Sequence, residues 1–191
     1  MVKKGLLIVV SGPSGVGKGT VIKEFINDPS LNLSYSISMT TRAPRDGEKD
    51  GVNYYFVTKE EFERNIAEGR MLEWTEFVGN YYGTPLAEAE RLRAAGKNVL
   101  LEIEVNGCMQ IKEKCPEAVT VFIVPPSQRE LEERIRKRGS EPEEIVQQRL
   151  AKATKELEMT CQYRYIVCND DVALAADLIR TIIKHHLEKE F

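Results

Sequence analysis

The glycine-rich stretch SGPSGVGKGT, residues 11–20, constrains this chain more than any other feature. It directly follows the apolar run LLIVV, residues 6–10, which predicts a buried strand that ends in a turn. Backbone amides can point inward at phosphate oxygens only in conformations open mainly to glycine, and a helix beginning at Lys18 would aim its first amides at the same oxygens. The stretch therefore predicts a phosphate-binding loop in which Lys18 supplies the positive charge.

The spacing of the loop matches the Walker A pattern up to the lysine, but Gly19 stands where a Ser or Thr usually contributes its hydroxyl to Mg²⁺. Thr20 follows one position later, which leaves the source of a metal-binding hydroxyl open. A glycine-rich turn can also be only a tight connection, but the preceding strand, the spacing and the lysine together favour nucleotide binding. The predicted ATP-binding residues of the loop are Gly12, Pro13, Ser14, Gly15, Val16, Gly17, Lys18, Gly19 and Thr20.

Short apolar runs alternate with helical patterns along most of the chain. The runs predict strands over 5–10, 98–105, 118–124 and 165–168, and the patterns between them predict helices over 18–27, 85–95, 127–138, 142–158 and 171–187. Ser127 followed by Glu130, and Thr58 followed by Glu61, form capping boxes that predict helix starts, and Pro142 fits the first turn of the helix over 142–158. Runs this apolar are typical of parallel strands covered on both faces, which predicts a doubly wound α/β fold. In the last helix we expect an apolar stripe to face the core, formed by Val172, Leu174, Leu178, Ile179, Ile182 and Ile183.

Residues 34–84 interrupt this alternation with aromatic-rich segments such as VNYYFV, residues 52–57, and MLEWTEFVGNYY, residues 71–82. Their alternating pattern predicts an inserted small lobe with antiparallel or mixed strands.

The composition excludes several classes of function. A net charge of −3 over 191 residues gives no overall basic field for nucleic acid, and the apolar runs are too short to cross a bilayer. We therefore expect a cytoplasmic protein that binds neither nucleic acid nor membrane. The cysteines match neither redox nor zinc spacings, and the two histidines are adjacent near the C-terminus, so a histidine-assisted nucleophile is not expected.

Two arginines and a tyrosine indicate a site for a second phosphate. Arg42, Arg45 and Tyr54 lie in SISMTTRAPRDGEKDGVNYYF, residues 36–56. Guanidinium groups suit the oxygens of a phosphate monoester, and a tyrosine hydroxyl adds a donor. On residue types alone, two loop arginines are more often a solvated surface.

Six blocks in this order resemble the guanylate kinase family: SGPSGVGKGT, SISMTTRAPRDGEKDGVNYYF, EFVGNYYGTP, LEIEVNG, PPSQRELEERIRKRGSE and IVCNDD. The resemblance covers residues 5 to about 185. It implies a P-loop enzyme that converts ATP and GMP to ADP and GDP in purine nucleotide metabolism. It also implies a three-layer α/β fold, a single domain over 1–191 with a parallel core sheet (1–33, 85–126 and 156–191), a small mixed-β GMP-binding lobe (34–84) and a helical lid (127–155).

The resemblance further implies the residues that bind both substrates. The GMP-site positions of the family correspond to Ser38, Arg42, Arg45, Tyr54, Glu73, Tyr82 and Thr84. Arg134 and Arg138, four residues apart on one helix face, match lid arginines that close over the ATP phosphates, and so does Arg149. Asn169 matches a position near the adenine ring. Lys18, Arg42 and the three lid arginines are the predicted catalytic residues.

The chemistry of Glu73 agrees independently with this assignment. Guanine presents N1–H and its 2-amino group as adjacent donors, and one carboxylate can accept from both, whereas adenine offers no such pair. Without the family resemblance, an exposed strand position in LEWTE, residues 72–76, would be the simpler interpretation.

Two glutamates lie at the end of the predicted strand over 98–105, where ligands of parallel α/β sheets collect. Glu102 and Thr20 are the predicted ligands of Mg²⁺, directly or through water, and Glu104 is predicted to approach the guanine base. Both glutamate positions are commonly aspartate in the family, and a simple location at the rim of the sheet is the alternative.

Two other interpretations were weighed against the enzyme. A guanylate-kinase-like protein-binding module would share the fold, but its phosphate loop is expected to be degraded, whereas Lys18 and its loop are intact here. A kinase for another nucleoside monophosphate is disfavoured by Glu73 and by TTRAPR, residues 40–45. We expect ATP and GMP as small-molecule partners, Mg²⁺ as cofactor and no obligate protein partner.

Overall fold

The order of elements follows the predicted alternation in most of the chain. The structure, a computed structural model, describes residues 3–77, 79–137 and 143–189. Its strands are β1 (Leu7–Ser11), β2 (Leu33–Tyr35), β3 (Met39–Thr40), β4 (Tyr55–Phe56), β5 (Met71–Phe77), β6 (Asn80–Pro85), β7 (Asn98–Glu102), β8 (Val119–Val124) and β9 (Tyr165–Cys168). Its helices are α1 (Lys18–Phe25), α2 (Lys59–Ala67), α3 (Leu86–Ala94), α4 (Val105–Lys114), α5 (Gln128–Lys137), α6 (Glu143–Glu158) and α7 (Val172–Lys189). Within the described residues, no helix is long and apolar enough to cross a bilayer.

The core sheet contains five strands within the described residues, in the order β2-β7-β1-β8-β9. β1 pairs in parallel with β8, with Ile8 opposite Val119, and β8 pairs in parallel with β9, with Val121 opposite Tyr165. Every residue of β1 is buried, as are all residues of β8 except the last, which is the pattern of parallel strands covered on both faces. The edge strand β9 contains exposed residues instead. The parallel α/β core predicted from the apolar runs is confirmed.

The strand predicted over 98–105 was too long, because β7 ends at Glu102 and α4 begins at Val105. Val105, Cys108 and Ile111 are buried at intervals of three residues, which is a helical pattern. The run NVLLEIEV contains no glycine or proline to mark the turn, and its end alternates charged with apolar residues as a strand would. The sequence pattern therefore gives no signal for the end of the strand or for the start of the helix.

The inserted segment contains a second sheet, in the order β4-β3-β6-β5. β5 and β6 pair antiparallel with Glu73 opposite Thr84, whereas β3 and β4 pair in parallel, so the sheet is mixed as predicted. Helix α2 begins after Thr58, whose hydroxyl accepts a hydrogen bond from the backbone N–H of Glu61 at 3.2 Å. Phe62 of α2 is fully buried and stacks on Tyr81 of β6 with 5.3 Å between ring centroids, which anchors the helix on the sheet.

The buried face of α7 differs from the predicted stripe. Ile179 and Ile183 are buried as expected, but Leu174 and Leu178 are 60% and 46% exposed. Their place is taken by small residues, since Ala175 and Ala176 are fully buried. Alanines on the inner face allow a helix to approach its neighbours closely. A stripe chosen by hydrophobicity alone therefore included two exposed leucines and left out the two buried alanines.

The two helices of the predicted lid, α5 and α6, have well-defined local contacts. The hydroxyl of Ser127 accepts from the backbone N–H of Glu130 at 3.1 Å and caps α5, as the sequence predicted. Near the other end of α5, Arg136 donates to both carboxylate oxygens of Glu143 on α6, at 2.6 and 2.9 Å. Pro142, predicted in the first turn of the second lid helix, lies outside the described residues. The Arg136–Glu143 ion pair thus joins the end of one lid helix to the start of the next.

The chain divides into two compact units. One unit consists of Met1–Leu7, Ser34–Leu100 and Asn106–Ala118, and it contains the mixed sheet. The other consists of Ile8–Leu33, Leu101–Val105 and Val119–Phe191, and it contains the glycine-rich loop and both lid helices. The finer division into core, lobe and lid stays a prediction.

The Arg136–Glu143 pair predicts a measurable titration difference. Hydrogen bonds from Arg136 and then Gln147 lower the pKa of Glu143 to about 2. The contribution of the pair to stability is therefore complete above the ordinary carboxyl value of 4.5 and is lost only as the pH falls towards 2. In side-chain ¹³C NMR at about pH 4, we expect Glu143 to be ionised in the wild type and more protonated in Arg136→Gln, in which only the hydrogen bond from Gln147 still lowers its pKa. Equal protonation of the two proteins at that pH would contradict the assigned ion pair.

Candidate active site

The glycine-rich loop adopts a backbone that only glycine tolerates at two positions. Gly15 and Gly17 have φ angles of 87° and 94°. A Cβ at Gly17 would lie 2.7 Å from Nδ2 of Asn169, and one at Gly15 would lie 2.7 Å from Cγ1 of Ile135. Both the left-handed conformation and the lack of space therefore require glycine, as the sequence pattern implied.

Asn169 holds this loop through its side chain. Its Nδ2 donates to the carbonyl oxygen of Val16 at 2.7 Å, and the residue is only 2% exposed. Arg134 of α5 donates to the same carbonyl at 3.3 Å and to the carbonyl of Asn169 at 3.1 Å. The structure thus gives Asn169 a loop-holding contact that the sequence did not suggest, while its location near the adenine ring stays a prediction.

Lys18 and the N-terminus of α1 direct donors at the loop. Helix α1 begins at Lys18 after the left-handed Gly17, which has no side chain with which to cap the first amides. Nζ of Lys18 donates to the carbonyl oxygens of Gly12 at 2.5 Å and Pro13 at 3.3 Å. A helix N-terminus and an adjacent ammonium group form an arrangement that binds phosphate.

Two of the three predicted lid arginines reach the loop. Arg134 contacts it through Val16, and Nη2 of Arg149 donates to Oγ of Ser14 at 3.0 Å. Arg138 lies outside the described residues. Arg134 and Arg149, which the resemblance assigned to the ATP phosphates, therefore reach the loop from α5 and α6.

The residues near the loop fit a magnesium ion bound together with a nucleotide. The carboxylate oxygens of Glu102 lie 3.8 and 3.9 Å from the position that a Cβ at Gly19 would occupy. Mg²⁺ usually keeps several waters and takes one or two carboxylates together with substrate phosphates. Among the described residues, no group of three or more His, Cys, Asp or Glu side chains could hold a metal ion. Thr20 is exposed in the first turn of α1.

Glu104, predicted near the guanine base, forms an ion pair with the second lid helix. Both of its carboxylate oxygens accept from Nζ of Lys152, at 2.9 and 3.0 Å. The predicted contact with GMP stays a prediction, and Lys152 is a partner that sequence reasoning missed.

The mixed sheet contains a buried carboxylate at the position predicted to select guanine. Glu73 is 3% exposed, and Oγ1 of the fully buried Thr84 donates to its Oε1 at 2.6 Å. The antiparallel register that places Glu73 opposite Thr84 explains why these two residues, eleven positions apart, meet. A buried carboxylate of this kind is a strong acceptor for a ligand with adjacent N–H donors.

Arg42 is already bound by a carboxylate of its own segment. Its Nη2 lies 2.9 Å from both carboxylate oxygens of Glu48, and its guanidinium lies 5.4 Å from the ring centroid of Tyr54. The backbone N–H of Arg45, together with the Arg42 guanidinium, keeps the pKa of Glu48 below its ordinary value. The side chain of Tyr82 packs edge-on against Tyr54 with 6.3 Å between centroids. The structure thus brings Arg42, Tyr54 and Tyr82 together.

The other residues predicted to bind GMP are placed nearby by the backbone. The carbonyl oxygen of Ser38 accepts from the N–H of Tyr55 at 2.9 Å at the edge of β3. Arg45 is exposed, and its backbone N–H donates to Glu48 at 2.8 Å. Their side-chain roles toward GMP stay predictions.

Helix α4, which was not predicted, supports the strand that carries the buried carboxylate. Gln110 bonds both the N–H and the carbonyl of Trp74, at 3.2 and 2.7 Å. Nζ of Lys114 donates to the carbonyls of Met71 and Leu72, at 3.1 and 2.7 Å. The backbone on both sides of Glu73 is therefore held by one helix. The only signal in the sequence was the spacing of four residues between the two polar side chains.

The parallel core sheet, the Walker-type loop after its first strand and the helix that follows the loop define the α/β P-loop kinase fold. The guanylate kinase family model matches residues 4–186. A guanylate kinase of Listeria monocytogenes serotype 4b is 52% identical over 191 residues, covering 100% of this chain and 93% of the relative. One of Lactiplantibacillus plantarum is 53% identical, covering 96% and 89% of the two chains.

A solved structure agrees with these relatives. The crystal structure of guanylate kinase from Anaplasma phagocytophilum is 34% identical and superposes with a TM-score of 0.75, covering 97% of this chain and 88% of that one. The chain belongs to the guanylate kinase family.

The loop geometry predicts that substitution weakens ATP binding at one glycine and not at another. Gly17→Ala would force a side chain into a left-handed backbone 2.7 Å from Asn169, so we expect ATP binding to weaken about tenfold or more. Gly19→Ala is the matched control and should bind as the wild type does, because a Cβ there meets only Glu102 at ordinary van der Waals distance. Isothermal titration with a non-hydrolysable ATP analogue measures both. Equal binding by Gly17→Ala and the wild type would contradict the required loop conformation.

Proposed function

We propose that this chain transfers the γ-phosphoryl group of ATP to GMP, giving ADP and GDP in purine nucleotide metabolism. The observation that carries the proposal is the buried carboxylate of Glu73, held by Thr84 in the unit that also contains Arg42 and Tyr54. Membership of the guanylate kinase family supports the same reaction.

The ATP half of the reaction is assigned to the unit that contains the loop. Loop amides and the N-terminus of α1 bind the β and γ phosphates, and Lys18 exchanges its contacts with Gly12 and Pro13 for phosphate oxygens. Arg134 and Arg149 reach the loop from the lid helices, and Arg138 is proposed to join them. These cations offset the charge that is spread over the transferring group.

The GMP half is assigned to the mixed-sheet unit. Glu73 accepts from N1–H and the 2-amino group of guanine, while Arg42, Arg45, Tyr54 and Tyr82 bind the phosphate of GMP. Ser38, Thr84 and Glu104 complete the proposed substrate contacts. A site built around a buried acceptor rejects bases that lack both donors, because the acceptor would otherwise be left unpaired.

The acceptor group needs no general base. A phosphate monoester has a second pKa near ~6 and is largely dianionic at neutral pH. Positioning and charge stabilisation are therefore the main tasks of the protein. When bound, Mg²⁺ would neutralise phosphate charge, and Glu102, with Thr20 as the second candidate, would hold it. A cytoplasmic location and the lack of an obligate protein partner stay predictions from the sequence.

A substrate comparison tests the proposal. We expect release of ADP from ATP and Mg²⁺ with GMP, and roughly a hundredfold less or lower turnover with AMP, CMP or UMP. The Lys18→Ala enzyme, expected to be inactive in the same coupled assay, controls for contaminating kinases. Comparable turnover with AMP, or none with GMP, would overturn the assignment.

Replacement of the buried carboxylate predicts a base-specific loss. In Glu73→Gln one acceptor oxygen becomes an NH₂ donor that faces a guanine donor, so we expect kcat/KM for GMP to fall about 10- to 100-fold. The KM for ATP should stay within about twofold, since the ATP half-site is untouched. Glu76→Gln is the control on the same strand, because Glu76 is exposed. A loss of kcat/KM for GMP of equal size in both variants would contradict the assignment of Glu73 to the guanine site.

A further inference from the structure

Three charged side chains lie on one face of α6. Arg149, Lys152 and Glu156 are spaced by three and four residues, so they project from successive turns in the same direction. Arg149 donates to the hydroxyl of Ser14 at 3.0 Å, and Lys152 donates to both carboxylate oxygens of Glu104. This face of α6 therefore contacts the phosphate loop and the segment that follows β7.

Glu156 makes this cluster more than a surface ion pair. Its side chain is 11% exposed, compared with 34% for Lys152, whose Nζ lies 3.9 Å from Oε1 of the carboxylate. Burial raises the pKa of Glu156, while the charge of Lys152 and the backbone N–H of Ser14 act in the opposite direction. Its Oε2 is buried without a hydrogen-bond partner among the described residues. A carboxylate so poorly satisfied depends strongly on a neighbouring cation.

Ser14 interacts with two residues on this face of α6. Arg149 donates to its hydroxyl, and its backbone N–H acts to lower the pKa of Glu156. Lys152 lies between these two contacts along the helix and faces both Glu104 and Glu156. Without the lysine charge, the two carboxylates would repel each other, since the charge of Glu104 already raises the pKa of Glu156.

We propose that Lys152 is a positioning residue for phosphoryl transfer. It holds α6 on the phosphate loop by compensating Glu104 and Glu156, and so it keeps Arg149 directed at the nucleotide phosphates. The inference rests on the proposed function, in which Arg149 stabilises the transferring group. Lys152 itself touches no reacting atom and acts through Arg149.

A purely structural role would give a different result. An ion pair that only stabilises the fold lowers the unfolding temperature when it is removed, and its effect on the rate adds independently to that of other substitutions. A residue that acts through Arg149 loses its effect on the rate once Arg149 is absent. The two roles are therefore separated by a double-mutant cycle.

The cycle compares the wild type, Lys152→Met, Arg149→Ala and the double variant, with kcat measured at saturating ATP and GMP. We expect Lys152→Met to lower kcat about tenfold in the presence of Arg149, and less than about twofold in the Arg149→Ala background. Lys152→Arg retains the charge and should recover most of the lost rate. Lys155→Met is the matched control, because Lys155 is exposed on the same helix, and it should match the wild type.

The outcomes distinguish this inference from the proposed function. If Arg149→Ala lowers kcat and the double variant shows the product of the two fold-losses in kcat, the positioning role of Lys152 is overturned, while the role of Arg149 in phosphoryl transfer stands. A lower unfolding temperature with unchanged kcat in Lys152→Met also overturns it. If Arg149→Ala is as fast as the wild type, the lid assignment and the inference both fall. If no variant shows GMP-dependent turnover, the proposed function itself fails.

Discussion

The conformation of the glycine-rich loop depends on one hydrogen bond, from the side-chain amide of Asn169 to the carbonyl oxygen of Val16. It joins the end of β9 to the loop that follows β1, and these two strands flank β8 in the parallel sheet. The shape of the loop is therefore tied to the register of the sheet. The same amide lies so close to Gly17 that no side chain fits there, and Arg134 adds a second donor to the same carbonyl. The carbonyl oxygen of Val16 thus connects the loop to the end of β9 through Asn169 and to α5 through Arg134.

Much of this fold could be predicted from local patterns. The apolar runs predicted β1, β8 and β9, and the serine and threonine caps predicted the starts of α5 and α2. Helix α4 was missed because its apolar spacing continues an apolar strand without a turn residue between them. The inner face of α7 was misjudged because its closest packing uses alanines, which hydrophobicity ranks low. Sequence patterns indicate the periodicity and polarity of a helix or strand, whereas the distance at which two elements pack is known only from the structure.

The polar contacts of the candidate site could also be predicted only in part from the sequence. Lys18 could be named from its motif, whereas Arg42 and Glu73 were named from the resemblance to the guanylate kinase family, with which their chemistry agrees. Glu48 and Gln110 could be named from neither, since their importance arises from which groups the fold sets beside them. A glutamate in a polar turn and a glutamine on a charged helix have no distinctive pattern of their own. Such supporting residues become recognisable only when the strand register and the helix face are known.

The cations of the site are already engaged before any nucleotide is considered. Arg42 is held by Glu48, Arg149 by Ser14, and Lys18 by two loop carbonyls. Phosphate groups bound by these cations, as proposed, would replace existing contacts, so part of the electrostatic gain from binding would be offset. The Arg42–Glu48 pair has a kinetic consequence as well, because a single nitrogen, Nη2, faces both carboxylate oxygens. If Arg42 binds the phosphate of GMP as proposed, another guanidinium nitrogen can meet that phosphate before Nη2 leaves Glu48, so the exchange does not require a guanidinium without partners.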